Sequence, residues 1–308
     1  MHAKQFEIVD FHSDSSRIVY RDDSYGVTVF DHSAGATLAL GPIRGGVALS
    51  GYGRTLLTSD PERPRAFLHD ASTGEVLREF SLPRAIGQLR VGPSGNRALV
   101  TPKSGVWLLD LENGDAEAVR NAIDDFRFGA YSHDREQFLL PSRRKGAVLQ
   151  VDFSALKVRE LKISSGRVVR WLSFLPNSGD LMVLDAGRTL HRVELSTGTS
   201  AWSSTLGREW NSAHVGVGAC SADGRRVALV AARSSSIDVV VFDAMSGDLL
   251  DRYPGAGSCS GSPLEGSSVL LGSQTLASFD EAHLAFDLAT GQRRRVAVPR
   301  RARIDNSG

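Results

Sequence analysis

The chain has 308 residues, with 36 Lys and Arg against 35 Asp and Glu and a formal net charge of +1. A balance so close to zero excludes a uniformly basic nucleic-acid binder. Hydrophobic residues make up 41% of the chain, an ordinary share for a globular protein, and no run approaches the roughly 18 apolar residues of a membrane-spanning helix. MHAKQFEIVDFH lacks the apolar h-region of a secretory signal. Cys220 and Cys259 are therefore expected as buried thiols rather than as a disulfide. Arg outnumbers Lys 31 to 5, a codon bias of high-GC bacterial genomes. The expectation is a bacterial, cytoplasmic protein.

In chain order, an apolar run closes on an acidic residue again and again, at intervals of roughly 40 residues. The copies are VTVFDHSAG (Asp31, Gly35), AFLHDASTG (Asp70, Gly74), VWLLDLENG (Asp110, Gly114), VLQVDFSALK (Asp152), LHRVELSTG (Glu194, Gly198), VVVFDAMSG (Asp243, Gly247) and LAFDLATG (Asp287, Gly291). Gly follows four positions after the acid in every copy but that of Asp152. Ahead of each mark lies a turn rich in Asp, Asn, Gly, Pro and Ser: HSDSSRIVY, LSGYGRTLL, GPSGNRALV, SHDREQFLL, LPNSGDLMVL, SADGRRVALV and SPLEGSSVLL. These residues close turns or accept positive φ. The flanking runs are short and rich in Val, Leu and Phe, so they read as strands, and no segment sustains helical spacing.

Each unit then has four antiparallel strands. In the third, AIGQLRVG, RALVTP, VWLLDL and AEAV are the strands. A lone four-stranded sheet leaves one face bare, whereas seven stacked around an axis bury both. The expected fold is all-β, a seven-bladed β-propeller in one domain over residues 1–308. Its blades are expected at 5–42, 43–83, 84–121, 122–163, 164–206, 207–254 and 255–299, with a basic tail at 300–308. Residues 5–11 should supply an innermost strand and 293–298 an outer one, with each blade contiguous in the chain.

SADGRR with VVVFDAMSGDLL, VWLLDLENGD and RVELSTGTSAW (with Trp202) resembles the repeats of WD-repeat, YVTN and quinoprotein-like propellers. The resemblance covers residues 5–299. It implies a disc with a central channel and protein-binding faces. The Gly-His dipeptide common in WD repeats is absent. A quinone cofactor is not expected, because neither a stacked Trp disc nor its metal site is visible.

Aligning the innermost strands puts Glu7, Arg44, Asp125, Arg170 and His214 near their upstream ends, with Asp10, Gln88, Arg90 and Arg127 deeper. Arg44, Arg170, Arg127 and Arg90 form the candidate site for an anionic small molecule or a peptide carboxylate, since guanidinium forks match such groups. The same set also reads as compensating charge pairs around a wet channel. His214, with Glu7 or Asp125, supplies the candidates for general acid–base chemistry. Arg143, Arg144 and Lys145 fall on a loop tip, and Trp210 falls in the longest connection; these are the candidate partner-binding residues. Trp171 could face the channel or the neighbouring blade. No Walker A loop, G-x-S-x-G elbow, H-E-x-x-H or cysteine zinc spacing occurs, and neither metal nor cofactor is expected.

The leading reading is a non-catalytic scaffold for a protein or peptide partner. The alternative is a small-molecule enzyme of lactonase, lyase or cyclising type with its site at the channel mouth, an analogy drawn from fold alone. A nucleic-acid partner is disfavoured because the Arg-rich end, GQRRRVAVPRRARIDNSG, has no interleaved aromatic for base stacking. No membrane partner is expected.

Overall fold

The computed structural model describes residues 6–11, 16–50, 52–82, 84–92, 94–102, 105–120, 122, 129–132, 137–155, 157–176, 178–207, 215–221, 223–232, 236–258, 268–271, 274–279, 282–287 and 293–296. Among these residues the chain is all strand and turn, and the strands pair into seven four-stranded antiparallel sheets. Each sheet uses four strands consecutive in the chain. The first runs from β1 (Phe6–Phe11) to β4 (Ala36–Pro42), the second from β5 (Val47–Leu49) to β8 (Val76–Ser81), and the third from β9 (Ile86–Val91) to β12 (Ala116–Val119). The fourth runs from β13 (Ala130–Ser132) to β16 (Lys157–Lys162) and the fifth from β17 (Val169–Phe174) to β20 (Ser200–Thr205). The sixth runs from β21 (Val215–Cys220) to β24 (Leu249–Ser258) and the seventh from β25 (Ser268–Leu271) to β28 (Arg293–Val296).

Burial follows a strand's place in its sheet. The second strand of the fifth sheet, β18 (Asp180–Asp185), is buried on both faces, whereas β20 at the outer edge alternates half-buried with exposed residues. Continuous apolar runs such as LMVL need cover on both sides, and neighbouring sheets supply it. One apolar layer, with Val29, Val47, Leu49 and Leu56, lies between the first and second sheets. Leu57, Leu89 and Leu109 belong to the layer between the second and third. Phe138, Leu140 and Phe153 pack against the third sheet, and Leu139, Leu172 and Val183 join the fourth to the fifth. Trp171, Leu184, Val227 and Phe242 fill the layer between the fifth and sixth. Each fully buried Leu or Phe stabilises by about 1.5–3 kcal/mol. Trp171 is thus a core residue between two sheets. Cys220 lies in the same layer, where burial pushes its thiol up to about 12.

The repeated acid is a turn device. Asp70 Oδ1 accepts the N–H groups of Ser72 (2.7 Å) and Thr73 (2.9 Å) and the Ser72 hydroxyl. Asp31, Asp110 and Asp243 hold their turns in the same way. Glu194 accepts the hydroxyls of Ser196 and Thr197 instead. The glycine that follows takes the left-handed conformation, with φ of 78° at Gly74 and 81° at Gly247, and its N–H donates back to the carbonyl of the acid. It also gives room to the preceding sheet. A Cβ on Gly247 would meet the Trp202 ring at 2.6–3.0 Å, and one on Gly74 would meet Leu40 at 2.7 Å. Trp202 Nε1 completes the seam with a 3.2 Å bond to Ala244 O.

The residue after the acid turns inward in the second to sixth sheets, whereas His32 after Asp31 is exposed. Ala71, Leu111, Phe153, Leu195 and Ala244 are all buried. Ala71 N donates to Arg54 O, Leu111 N to Asn96 O, Leu195 N to Gly179 O and Ala244 N to Arg225 O, all within 3.3 Å. These bonds tie the two turns on one face of each sheet together. The first strands of the third, fifth and sixth sheets each carry a bulge near their start, at Gly87, at Val169/Trp171 and at Val215/Val217, and that of the first sheet carries one further along, at Ile8/Asp10. Such bulges re-aim the side chains at a rim.

Candidate functional site

Antiparallel four-stranded sheets present two sets of turns. One face carries the first-to-second and third-to-fourth strand turns, including the repeated acids. The other carries the second-to-third turns and the connections from one sheet to the next. This connection face is also pinned. In four sheets the residue just after the outer strand donates its N–H to the second-to-third turn of its own sheet: Ile43 to Tyr25 O, Leu82 to Pro64 O, Ile163 to Gly146 O and Leu206 to Arg188 O, at 2.7–2.9 Å. The connections are thereby fixed to rigid sheet ends rather than left as free loops.

An exposed arginine stands in each of the four connections that join the first five sheets: Arg44, Arg84, Arg120 and Arg167. Arg44 lies over the exposed Tyr25 ring, 5.8 Å from its centroid, which holds the guanidinium on this face. At the junction of the fourth and fifth sheets three loops meet. Gly146 N donates to Arg167 O at 2.8 Å, and Ala186 N donates to Val168 O at 2.8 Å. The turn 142–146 is itself rigid: Ser142 is fully buried and its hydroxyl accepts Arg144 N at 3.1 Å. Arg143, Arg144 and Lys145 project from it into solvent. Arg143 Nε donates to Ala122 O (3.1 Å), and Arg144 pairs with Glu160 (3.0 Å).

The sequence-derived candidates distribute over this frame. Arg170 is the exposed bulge residue of β17, between the buried Val169 and Trp171. It stands directly after the 163–168 connection, so Arg143, Arg144, Lys145 and Arg170 share one junction. Arg44 is at the first-to-second junction, on different sheets from Arg170. Arg90 is half-buried in β9 and donates to Leu89 O at 3.0 Å. Glu7 lies in β1 opposite Arg21 in the strand register. Asp125, Arg127, Trp210 and His214 lie outside the described residues, as do Cys259 and the tail 300–308. Among the described residues no group of three or more His, Cys, Asp or Glu is arranged to hold a metal ion.

Asp185, His69 and Asp238 spend their bonding capacity inside the sheets. Asp185 accepts Gly187 N (2.7 Å) and Thr189 N (3.0 Å) and meets His191 Nε2 at 3.1 Å. His69 shares bonds with Thr58 Oγ1 (3.0 Å) and Gly74 O (3.2 Å). Asp238 is paired with Arg252 at 2.6 Å. On the repeated-turn face the carboxylates are stabilised as anions. The Ser72 hydroxyl, then the Ser72 and Thr73 N–H groups, pull Asp70 down to about 2. Asp31, beside the Ser33 hydroxyl, and Asp243, beside the Ser246 N–H, are lowered by the same chemistry. Arg84, Arg120 and Arg167 escape a reading by period, because connections differ in length. The signal available in the sequence was an arginine between the fourth strand and the next first strand in each of the first four connections.

This architecture has relatives among known proteins. A family model described as outer membrane protein assembly factor BamB matches residues 172–304. Among solved structures, the Myceliophteria thermophila Cps50 (Swd1) β-propeller domain is similar, with 16% identity and a TM-score of 0.60 over 97% of this chain and 98% of that one. No curated protein matches. The fold is that of a β-propeller, and the chain is a repeat protein resembling WD-repeat and quinoprotein-like propellers.

Proposed function

We propose that the chain is a non-catalytic scaffold that holds a protein or peptide partner on the connection face of a closed, seven-bladed propeller. The ring closes between the seventh sheet and the first, and the protein works in the bacterial cytoplasm. The observation that carries this reading is the rigid presentation of Arg143, Arg144 and Lys145. Three exposed cations ride on a turn whose backbone is bonded to Ser142 and Arg167. A surface ordered in advance loses little entropy when a partner docks. The inward use of His69, His191, Asp185 and Asp238 supports the same reading, since these groups bind strand to strand within their sheets.

Cross-linking in cells from a photoreactive residue placed at Lys145 tests this, with mass spectrometry of the product. The expected result is a discrete polypeptide adduct that disappears when Arg143 and Arg144 become Ala. Turnover of a small molecule with no polypeptide adduct from any position on this face would overturn it.

A further inference from the structure

The net charge of +1 hides a separation of charge between the two faces. The connection face carries the exposed Arg44, Arg84, Arg120 and Arg167, against the exposed Asp23 and Glu62 of its turns. The opposite face carries the exposed Glu75, Glu112, Asp115 and Asp248 next to the anionic repeat marks, against the exposed Arg54 and Arg225. The cationic excess is densest where the fourth sheet meets the fifth. There Arg143, Arg144, Lys145, Arg167, Arg170 and Arg188 come from three loops tied backbone to backbone. Among the described residues, two acids at this junction already have partners: Glu160 Oε1 accepts Arg144 at 3.0 Å, and Asp185 is engaged by Gly187, Thr189 and His191.

Resting on the scaffold reading above, we infer that the partner is an acidic polypeptide segment, rich in Asp and Glu, and that it docks on the connection face across the junction of the fourth and fifth sheets. The separation of charge steers such a segment to one face and repels it from the other. Guanidinium forks accept carboxylates two bonds at a time, which suits a row dominated by arginine. The exposed aromatic rings of the described chain, Tyr25 and Tyr52, belong to the first and second sheets. Among the described residues, the junction therefore offers charge without the stacking platform that single-stranded nucleic acid uses.

The experiment uses the full chain and fluorescence anisotropy of a labelled peptide of alternating Glu and Ser. A Gln/Ser peptide of equal length and a single-stranded RNA with the same number of anionic groups serve as comparison probes. The expected result is binding of the Glu/Ser peptide over both. That binding weakens as salt rises from about 0.05 to 0.3 M. The R143E/R144E/K145E variant should lose about 10-fold to 100-fold in affinity. The E112K/D115K variant, altered on the opposite face, should keep wild-type affinity. Thermal melting of each variant checks that it folds, and an R143K/R144K variant, which keeps the charge but loses the guanidinium forks, should bind more weakly than wild type and more tightly than R143E/R144E/K145E. Equal binding to wild type and R143E/R144E/K145E overturns this inference and leaves the scaffold reading intact, as does preference for the Gln/Ser peptide. Tighter binding of the RNA overturns it by assigning the surface to phosphates. The scaffold reading fails separately, through the cross-linking result above.

Discussion

The two kinds of turn in a sheet follow different rules. The third-to-fourth turns carry an acid, an inward apolar residue after it in the second to sixth sheets and, in all but one copy, a glycine four positions on. Every one of these atoms is used: the carboxylate caps the turn, the next residue enters the core, and the glycine admits a side chain of the neighbouring sheet. The second-to-third turns and the connections share only their backbone bonds, while their side chains vary from Tyr25 to Arg143, Arg144 and Lys145. What repeats is therefore what builds the disc. What varies, on an equally rigid frame, is free to select a partner.

The largest effect should come from Phe153, which follows the Asp152 mark and is 1% exposed with its ring against Gly92 of the preceding sheet. Phe153→Ala should cost about 3–5 kcal/mol in urea unfolding. A loss under about 1 kcal/mol would mean the inward residue does not join sheets.

Next comes a graded pair of glycines. Gly247→Ala combines a left-handed backbone with collision against Trp202 and should cost about 2–4 kcal/mol. At Gly114 φ is 91° but the nearest side-chain atom, from Phe80, is 3.8 Å away. Gly114→Ala should then cost only the backbone part, about 1–2 kcal/mol. Equal losses in denaturant midpoint would remove the seam from the account.

Acid should act on the repeated-turn face. The folded values of Asp31, Asp70 and Asp243 lie below the ordinary 3.8, and that of Asp70 is about 2. A lowered folded value contributes stability that is present above 3.8 and is lost as pH falls through about 2. The melting temperature should fall across that window, and Asp70→Ala should flatten part of the fall. A melting temperature that is constant down to the lowest pH would contradict the capping role.

The smallest stability effect belongs to the connection face. R143E/R144E/K145E should cost no more than about 1 kcal/mol: the three side chains are exposed, and what is lost is the Arg144–Glu160 pair, in which Arg144 is exposed and Glu160 half-buried, and the bond from Arg143 Nε to Ala122 O. A loss comparable to Gly247→Ala would show that this turn, too, is part of the disc.

The strands were legible because turn chemistry and apolar runs are local. The segment RALVTP coincides with β10 (Arg97–Pro102), and AIGQLRVG contains β9. The acid and glycine marks were legible for the same reason. Trp171 was not placed by sequence, since a strand pattern cannot tell a channel-facing side from a sheet-facing one, and it lies in the layer with Leu184 and Phe242. The inward residue after five of the acids was visible in the sequence as Ala71, Leu111, Phe153, Leu195 and Ala244, but its role is a contact between sheets. The meeting of Arg143, Arg144 and Lys145 with Arg167 and Arg170 depends on bonds across some 20 residues of chain. Spacing alone does not reveal it.

Amide hydrogen exchange of the full chain, with and without the Glu/Ser peptide, tests most directly the division between a built face and a selecting face. The account predicts added protection at 142–146 and 163–170, and none at the repeated turns 111–115 and 244–248. Protection confined to the repeated turns would contradict it and place the partner on the acidic face.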